Sequence, residues 1–150
     1  MEKISSFRVN HMKLQPGIYI SRIDDDIVTY DIRMRRPNSG DYLRNDAIHS
    51  IEHMFATYVR NSSFADKIIY FGPMGCRTGF YFLVRNMSHE DAINLIVESF
   101  KYIADYYGPI PGASAVECGN YMEHDLHLAK AEARKFLKII TDYPVERLQY

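Results

Sequence analysis

His49-Ser50-Ile51-Glu52-His53 places two imidazoles and a carboxylate in one five-residue run. A helix advances about 100° per residue, so His53 lies about 40° round from His49 and Glu52 about 60° to the other side, and all three point the same way. Two histidines at i and i+4 grip a transition metal, and the adjacent Glu stays free to carry a proton. A bare helical pair of histidines also describes a solvated polar face. The metal reading therefore needs further ligands from elsewhere in the chain.

Two sources of a third ligand compete. The HxxEH string occurs in inverted-zincin peptidases, where the Glu activates a metal-bound water and a distant Glu completes the set. Glu123 and Glu132 are placed for that role. Such peptidases are much larger chains with a cleft between domains, which a single domain of 150 residues does not offer. Cys118 is the better partner. It follows a Pro/Gly-rich loop and precedes a predicted helix, so its thiol can reach a site built on another element. Two histidines and one cysteine leave a coordination position open, as catalytic metal sites do. A buried apolar cysteine is the alternative.

Cys76 sits in Gly-Pro-Met-Gly-Cys-Arg-Thr-Gly, residues 72–79. Glycines on both sides allow close approach of a substrate, and Arg77 places a cation beside the sulfur. A structural turn with an incidental cysteine is the alternative. A metal, a thiol and a free carboxylate together suit proton transfers around a metal-polarised carbonyl. Arg60 returns to within about 20° of the His49 azimuth, roughly 10 Å past His53 along the helix. An Arg there can hold the carboxylate of an elongated substrate or simply complement the helix dipole.

The elements that must position these groups follow from periodicity and turn chemistry. Residues 17–23 and 27–36 are β-rich, and Asp24-Asp25-Asp26 between them marks a hairpin. A helix is predicted over 46–61 with Ile48, Ile51, Phe55 and Tyr58 as its apolar stripe, leaving the histidines at the edge of a core. Two more strands are predicted at 67–72 and 79–85, linked by the Cys76 loop. Ser88 caps a helix that runs to about residue 106, with Asp91 at N3. The connection over 108–116 is rich in Pro and Gly, and a last helix is predicted from about Met122 to Asp142. Strands and helices do not alternate one for one, so the expected fold is a single α+β domain with an antiparallel sheet and about three helices.

Composition sets the outer bounds. The chain is 47% hydrophobic and 13% aromatic, enough for a real core, and its net charge of -1 gives no basic field for nucleic acid. No apolar run approaches a membrane span, and residues 1–17 lack the apolar stretch of a secretory signal. Two cysteines without an export signal are expected to be free thiols in a reducing cytoplasm.

Five ordered motifs along nearly the whole chain carry a family resemblance. They are Ser6-Phe7 with His11; Asp31-Ile32-Arg33 followed by Pro37-Asn38; Ile48 to His53; Pro73 to Gly79 around Cys76; and Glu117-Cys118-Gly119-Asn120-Tyr121. The sequence resembles the S-ribosylhomocysteine lyase family, the bacterial enzymes of autoinducer-2 synthesis. The resemblance implies a small α+β homodimer with two sites at its interface. It implies one divalent metal per subunit, natively Fe(II) and often Zn or Co, held by His49, His53 and Cys118. The reaction it implies cleaves S-ribosyl-L-homocysteine to L-homocysteine and 4,5-dihydroxy-2,3-pentanedione, through two enolisations and a β-elimination. Cys76 and Glu52 would be the acid/base pair. Ser6, His11, Arg33 and Arg60 would bind or orient substrate, Ser6 and His11 coming from the partner subunit.

One departure stands out. Where family members often carry Asp-Ile-Ser before Pro-Met-Gly-Cys, this chain has Tyr70-Phe71-Gly72, which removes a carboxylate able to meet the substrate's ammonium. Asp24 to Asp26 have no functional reading. A non-catalytic dimeric module with a structural metal is a further alternative, and both the open coordination position and Cys76 argue against it.

Overall fold

Apolar alternation in the first 85 residues builds one sheet. The computed structural model describes all 150 residues. Strands β1 (Gly17–Asp24), β2 (Ile27–Arg33), β3 (Ile68–Pro73) and β4 (Gly79–Arg85) form a four-stranded antiparallel sheet in the order β1-β2-β4-β3. Helix α1 (Asn45–Arg60) joins β2 to β3, and α2 (His89–Asp105) and α3 (Leu126–Ile140) follow β4. The fold is the α+β class expected.

Side chains alternate across a strand, and here the two faces of the sheet differ in kind. Val28, Tyr30 and Ile32 of β2 and Phe80, Phe82 and Val84 of β4 are buried toward the helices. Phe55 of α1 stacks on Phe71 of β3 at 3.8 Å and meets Phe82 and Phe100 edge-on. Phe100 of α2 in turn meets Phe136 of α3. The stripe predicted on α1 is thus the core contact, with Ile48, Ile51 and Phe55 buried. The other face of the sheet carries Asp31, Arg33 and Tyr81, with Asp31 opposite Tyr81 in the register.

Two boundaries depart from the sequence expectation. The strand expected over 27–36 ends at Arg33, because the Met34 and Arg35 amides both donate to the Thr78 carbonyl at 2.8 and 2.9 Å. The last helix starts at Leu126 rather than near Met122. Asp125 is its cap, its carboxylate accepting the Leu128 N–H, and the preceding Glu123 carbonyl is taken by His49 instead of a helical partner. The α1 and α2 predictions hold to within a residue or so, and Ser88 accepts the Asp91 N–H as predicted. Arg35 bridges the end of β2 to α3 by a bidentate pair with Glu132 at 2.7 and 2.6 Å.

Candidate active site

Four donor atoms converge beside α1. One ligand atom each from His49, His53, Cys118 and His124 lies within 4.8 Å of the others. The Cys118 Sγ is 3.3 Å from His49 Nε2, 3.8 Å from His53 Nε2 and 3.9 Å from His124 Nε2. A tetrahedral ion with metal–nitrogen bonds of about 2.0–2.1 Å and a metal–sulfur bond of about 2.3 Å implies N···S separations of about 3.5 Å. The observed separations bracket that value, so the donor set fits a single divalent ion.

Each imidazole is aimed by its other nitrogen. His49 Nδ1 donates to the Glu123 carbonyl at 2.9 Å and His53 Nδ1 to the Pro111 carbonyl at 2.8 Å. A carbonyl only accepts, so both rings carry their proton on Nδ1 and turn an Nε2 lone pair inward, the usual support of ligating histidines. Ser50 orients His124. Its hydroxyl donates to the Asp46 carbonyl and accepts the Asp125 N–H, each at 2.9 Å, so His124 Nδ1 at 3.1 Å is a donor as well. Burial first, then the neighbouring His49 and His53, push His124 down to about 4, keeping its ring neutral. The loop between α2 and α3 delivers the Pro111 carbonyl through Gly112. That residue sits at φ +68, and a Cβ on it would be 3.4 Å from His53 Nδ1.

The rings differ in attitude. His49 and His53 meet edge-to-face at 84°, whereas His124 stacks on His49 at 3.9 Å and 22°. Glu52, between the two α1 histidines in sequence, is half-buried and outside the converging set.

The second predicted group gathers in a cavity of about 620 Å³ on the outer face of the sheet. Ser6, His11, Arg33, Cys76, Thr78 and Tyr81 are among its walls, and none of the four converging donors is. Cys76 and Cys118 are free thiols, as expected. The hairpin between β3 and β4 turns at Arg77, whose φ is 60, and brings Cys76 Sγ to 3.0 Å from Thr78 Oγ1. Arg33 Nη1 donates to that same oxygen at 2.8 Å, and Nη2 pairs with Asp31 at 2.6 Å. The Tyr150 hydroxyl donates to Asp31 Oδ2 at 2.6 Å. Burial opposes the Arg33 charge, but Asp31 beside it more than offsets this and holds the guanidinium above its ordinary value. Burial, then the Asp31 carboxylate, push the Tyr150 phenol up.

Other residues fall outside both groups. Arg60 is exposed at the end of α1 and donates to the Ile69 carbonyl at 3.2 Å. Tyr70 is half-exposed, lies over Gly72 and lines a separate cavity of about 410 Å³ with Asp24 and Ser6. The distant carboxylates that a peptidase would need are committed elsewhere: Glu132 pairs with Arg35, and the Glu123 side chain accepts from Asn120. Sequence reading missed His124 and Thr78. A Cys and a His six residues apart just before a capped helix were the signal for His124, but a helix predicted from Met122 hid it. Thr78 had no sequence signal beyond standing two residues from Cys76.

Comparison with known proteins gives the family. The family model described as S-Ribosylhomocysteinase (LuxS) matches residues 4–145. A protein of Borreliella afzelii named S-ribosylhomocysteine lyase is 49% identical over 156 aligned positions, covering 100% of this chain and 99% of that relative. Relatives of the same name from Clostridium acetobutylicum and Phocaeicola vulgatus are 46% and 44% identical; the first covers 100% of this chain and 99% of its own length, the second 95% and 92%.

Proposed function

The chain belongs to the S-ribosylhomocysteinase family, and we propose that it acts as a carbon–sulfur lyase through two residue groups brought together by a homodimer. It cleaves S-ribosylhomocysteine to L-homocysteine and 4,5-dihydroxy-2,3-pentanedione, the autoinducer-2 precursor. His49, His53 and Cys118 hold one divalent ion. The observation that carries this reading is the convergence of those three donors, with each histidine fixed from behind by a carbonyl. Ring attitude does not choose among the histidines, because His53 meets both His49 and His124 edge-on, at 84° and 77°. The i and i+4 spacing of His49 and His53 on α1 is what favours that pair as ligands, with His124 a fourth donor within reach of the same ion.

The donor set accepts several metals, Fe(II) as the native ion and Zn or Co as substitutes. A bound divalent ion supplies Lewis acidity to the sugar carbonyl. Everything else falls to the chain's own groups. Glu52, on the metal helix but outside the ligand set, takes and returns protons on one side of the ribose carbons. Cys76 does so on the other, lifting a proton from one carbon and returning it to its neighbour as the carbonyl migrates. When the carbonyl is two carbons from the carbon bearing sulfur, loss of the intervening proton expels homocysteine thiolate by β-elimination. Ser6, His11 and Arg33 orient the sugar from the cavity around Cys76, and Arg60, which retains free N–H donors, holds the amino-acid carboxylate.

Two copies are required by this reading. The Cys76 cavity contains none of the metal donors, and a partner that lays its Cys76 cavity over the metal centre completes each site. No helix is long and apolar enough to cross a membrane, and we place the enzyme in the cytoplasm with no nucleic-acid partner. The test is homocysteine release from S-ribosylhomocysteine, followed with a thiol reagent on metal-loaded protein. Cys76→Ala and Glu52→Gln should keep the metal and lose turnover. Metal-loaded protein that releases no thiol would end the lyase reading, and loss of metal from Cys76→Ala would exchange the roles of the two cysteines.

A further inference from the structure

Thr78 has no assigned role, yet it is the residue through which the buried charge pair of the sheet reaches the reactive thiol. We propose that Thr78 is a positioning residue that presents its hydroxyl hydrogen to the Cys76 sulfur, its direction set by Arg33. The inference rests on the reading of Cys76 as a proton carrier.

The hydrogen-bond inventory sets the direction whenever the sulfur carries no proton. Arginine has donors and no acceptor, so Thr78 Oγ1 must accept the Arg33 N–H at 2.8 Å. Thr78 is 1% exposed, which denies its hydroxyl a bulk-water partner. Its single hydrogen is then left for Cys76 Sγ, 3.0 Å away on the same oxygen. When the sulfur carries no proton, the hydroxyl donates to it. When the sulfur is protonated, the second lone pair of the oxygen accepts the S–H. Only the unprotonated sulfur gives the hydroxyl hydrogen its acceptor, so the arrangement favours that state, while rotation of one O–H bond still lets the oxygen meet either state with no movement of heavy atoms. A proton carrier that must return to its starting state in each cycle needs this property.

The rest of the molecule makes the arrangement rigid. Arg33 is 3% exposed and locked to Asp31, which is itself capped by the Tyr150 hydroxyl. Arg77 in the left-handed region between Cys76 and Thr78 puts both side chains on one side of the hairpin. Two backbone bonds brace the loop, Arg77 N–H to Met74 and Met74 N–H to Gly79. The other titratable groups around the thiol are His11, Tyr42 and Tyr81 in the same cavity, with Arg77 directed at the Tyr42 ring.

The experiment uses the full-length, metal-loaded protein, in which Cys118 is committed to the ion. The rate of Cys76 alkylation by iodoacetamide is measured against pH for wild type, Thr78→Val and Thr78→Ser, with Cys76→Ala as the background. In Thr78→Val the midpoint should rise by about one pH unit, the scale of one lost hydrogen bond to a charged group. kcat should fall with KM little changed, and Thr78→Ser should restore both. An unmoved midpoint in a folded Thr78→Val overturns the proposal. The S–H infrared stretch of Cys76 in wild type, assigned by its loss in Cys76→Ala, gives a second reading that needs no Thr78 variant. It should be displaced toward the frequency of a hydrogen-bonded thiol, and a free-thiol frequency likewise overturns the proposal. Turnover retained by Cys76→Ala would instead remove the proton-carrier role, a separate failure.

Discussion

Asp31→Asn removes the only carboxylate paired with the buried Arg33 guanidinium. Asp31 is 0% exposed and Arg33 3%. Asp31 Oδ2 takes both the Arg33 Nη2 donor and the Tyr150 hydroxyl at 2.6 Å, while Oδ1 has no partner. Asparagine keeps the shape and an acceptor oxygen but removes the charge. Arginine cannot discharge by losing its proton, so the variant leaves a buried cation uncompensated. Breaking a buried ion pair from one side costs about 3–5 kcal/mol. Arg33 borders the Cys76 cavity, where water can soften the loss, which places the expectation near the lower figure, about 3 kcal/mol. For a chain of this length each kcal/mol moves Tm by roughly 2–4 °C, so Tm should fall by about 6–12 °C. The assay is urea unfolding at fixed subunit concentration, since an assembly's stability varies with concentration. Asp31→Asn/Arg33→Met should recover more than half of the loss, because it removes the cation as well. A single variant within about 1 kcal/mol of wild type, or a double variant as unstable as the two single variants added together, would refute the reasoning.

Further outcomes are expected. Mixing inactive Cys76→Ala with inactive His53→Gln should restore about a quarter of wild-type turnover, because random pairing in a two-fold dimer gives half heterodimers, each with one intact site; steady-state assay after subunit exchange checks this, and no recovery would place both groups in one chain. Gly112→Ala strains a residue at φ +68 and crowds His53, and metal affinity measured by chelator competition should drop by about tenfold as the Pro111 carbonyl shifts, the usual scale for lost outer-shell support. Phe55→Ala opens a cavity where α1, α2 and the sheet meet, and chemical denaturation should show a loss of about 3–5 kcal/mol.

Chain order alone determined the parts of this protein that depend on neighbours in sequence. The pitch of a helix puts His49 and His53 on one face whatever surrounds it, so the histidine pair was legible. So were the Ser88 cap, the Asp24–Asp26 hairpin and the core stripe of α1, because caps, turns and amphipathic faces are local physics. Tertiary structure decided what joins distant segments. His124 reaches Cys118 and stacks on His49 only because Ser50 of α1 holds it and the Asp125 N–H together. The same contacts delay the start of α3, which periodicity placed too early. Arg33, Thr78 and Cys76 are connected only once β2 pairs with β4 and Arg77 adopts a left-handed turn. Sequence periodicity reports which face of an element is buried. It does not report which hydrogen bonds form between elements, and those bonds set the aim of every imidazole and the surroundings of the thiol.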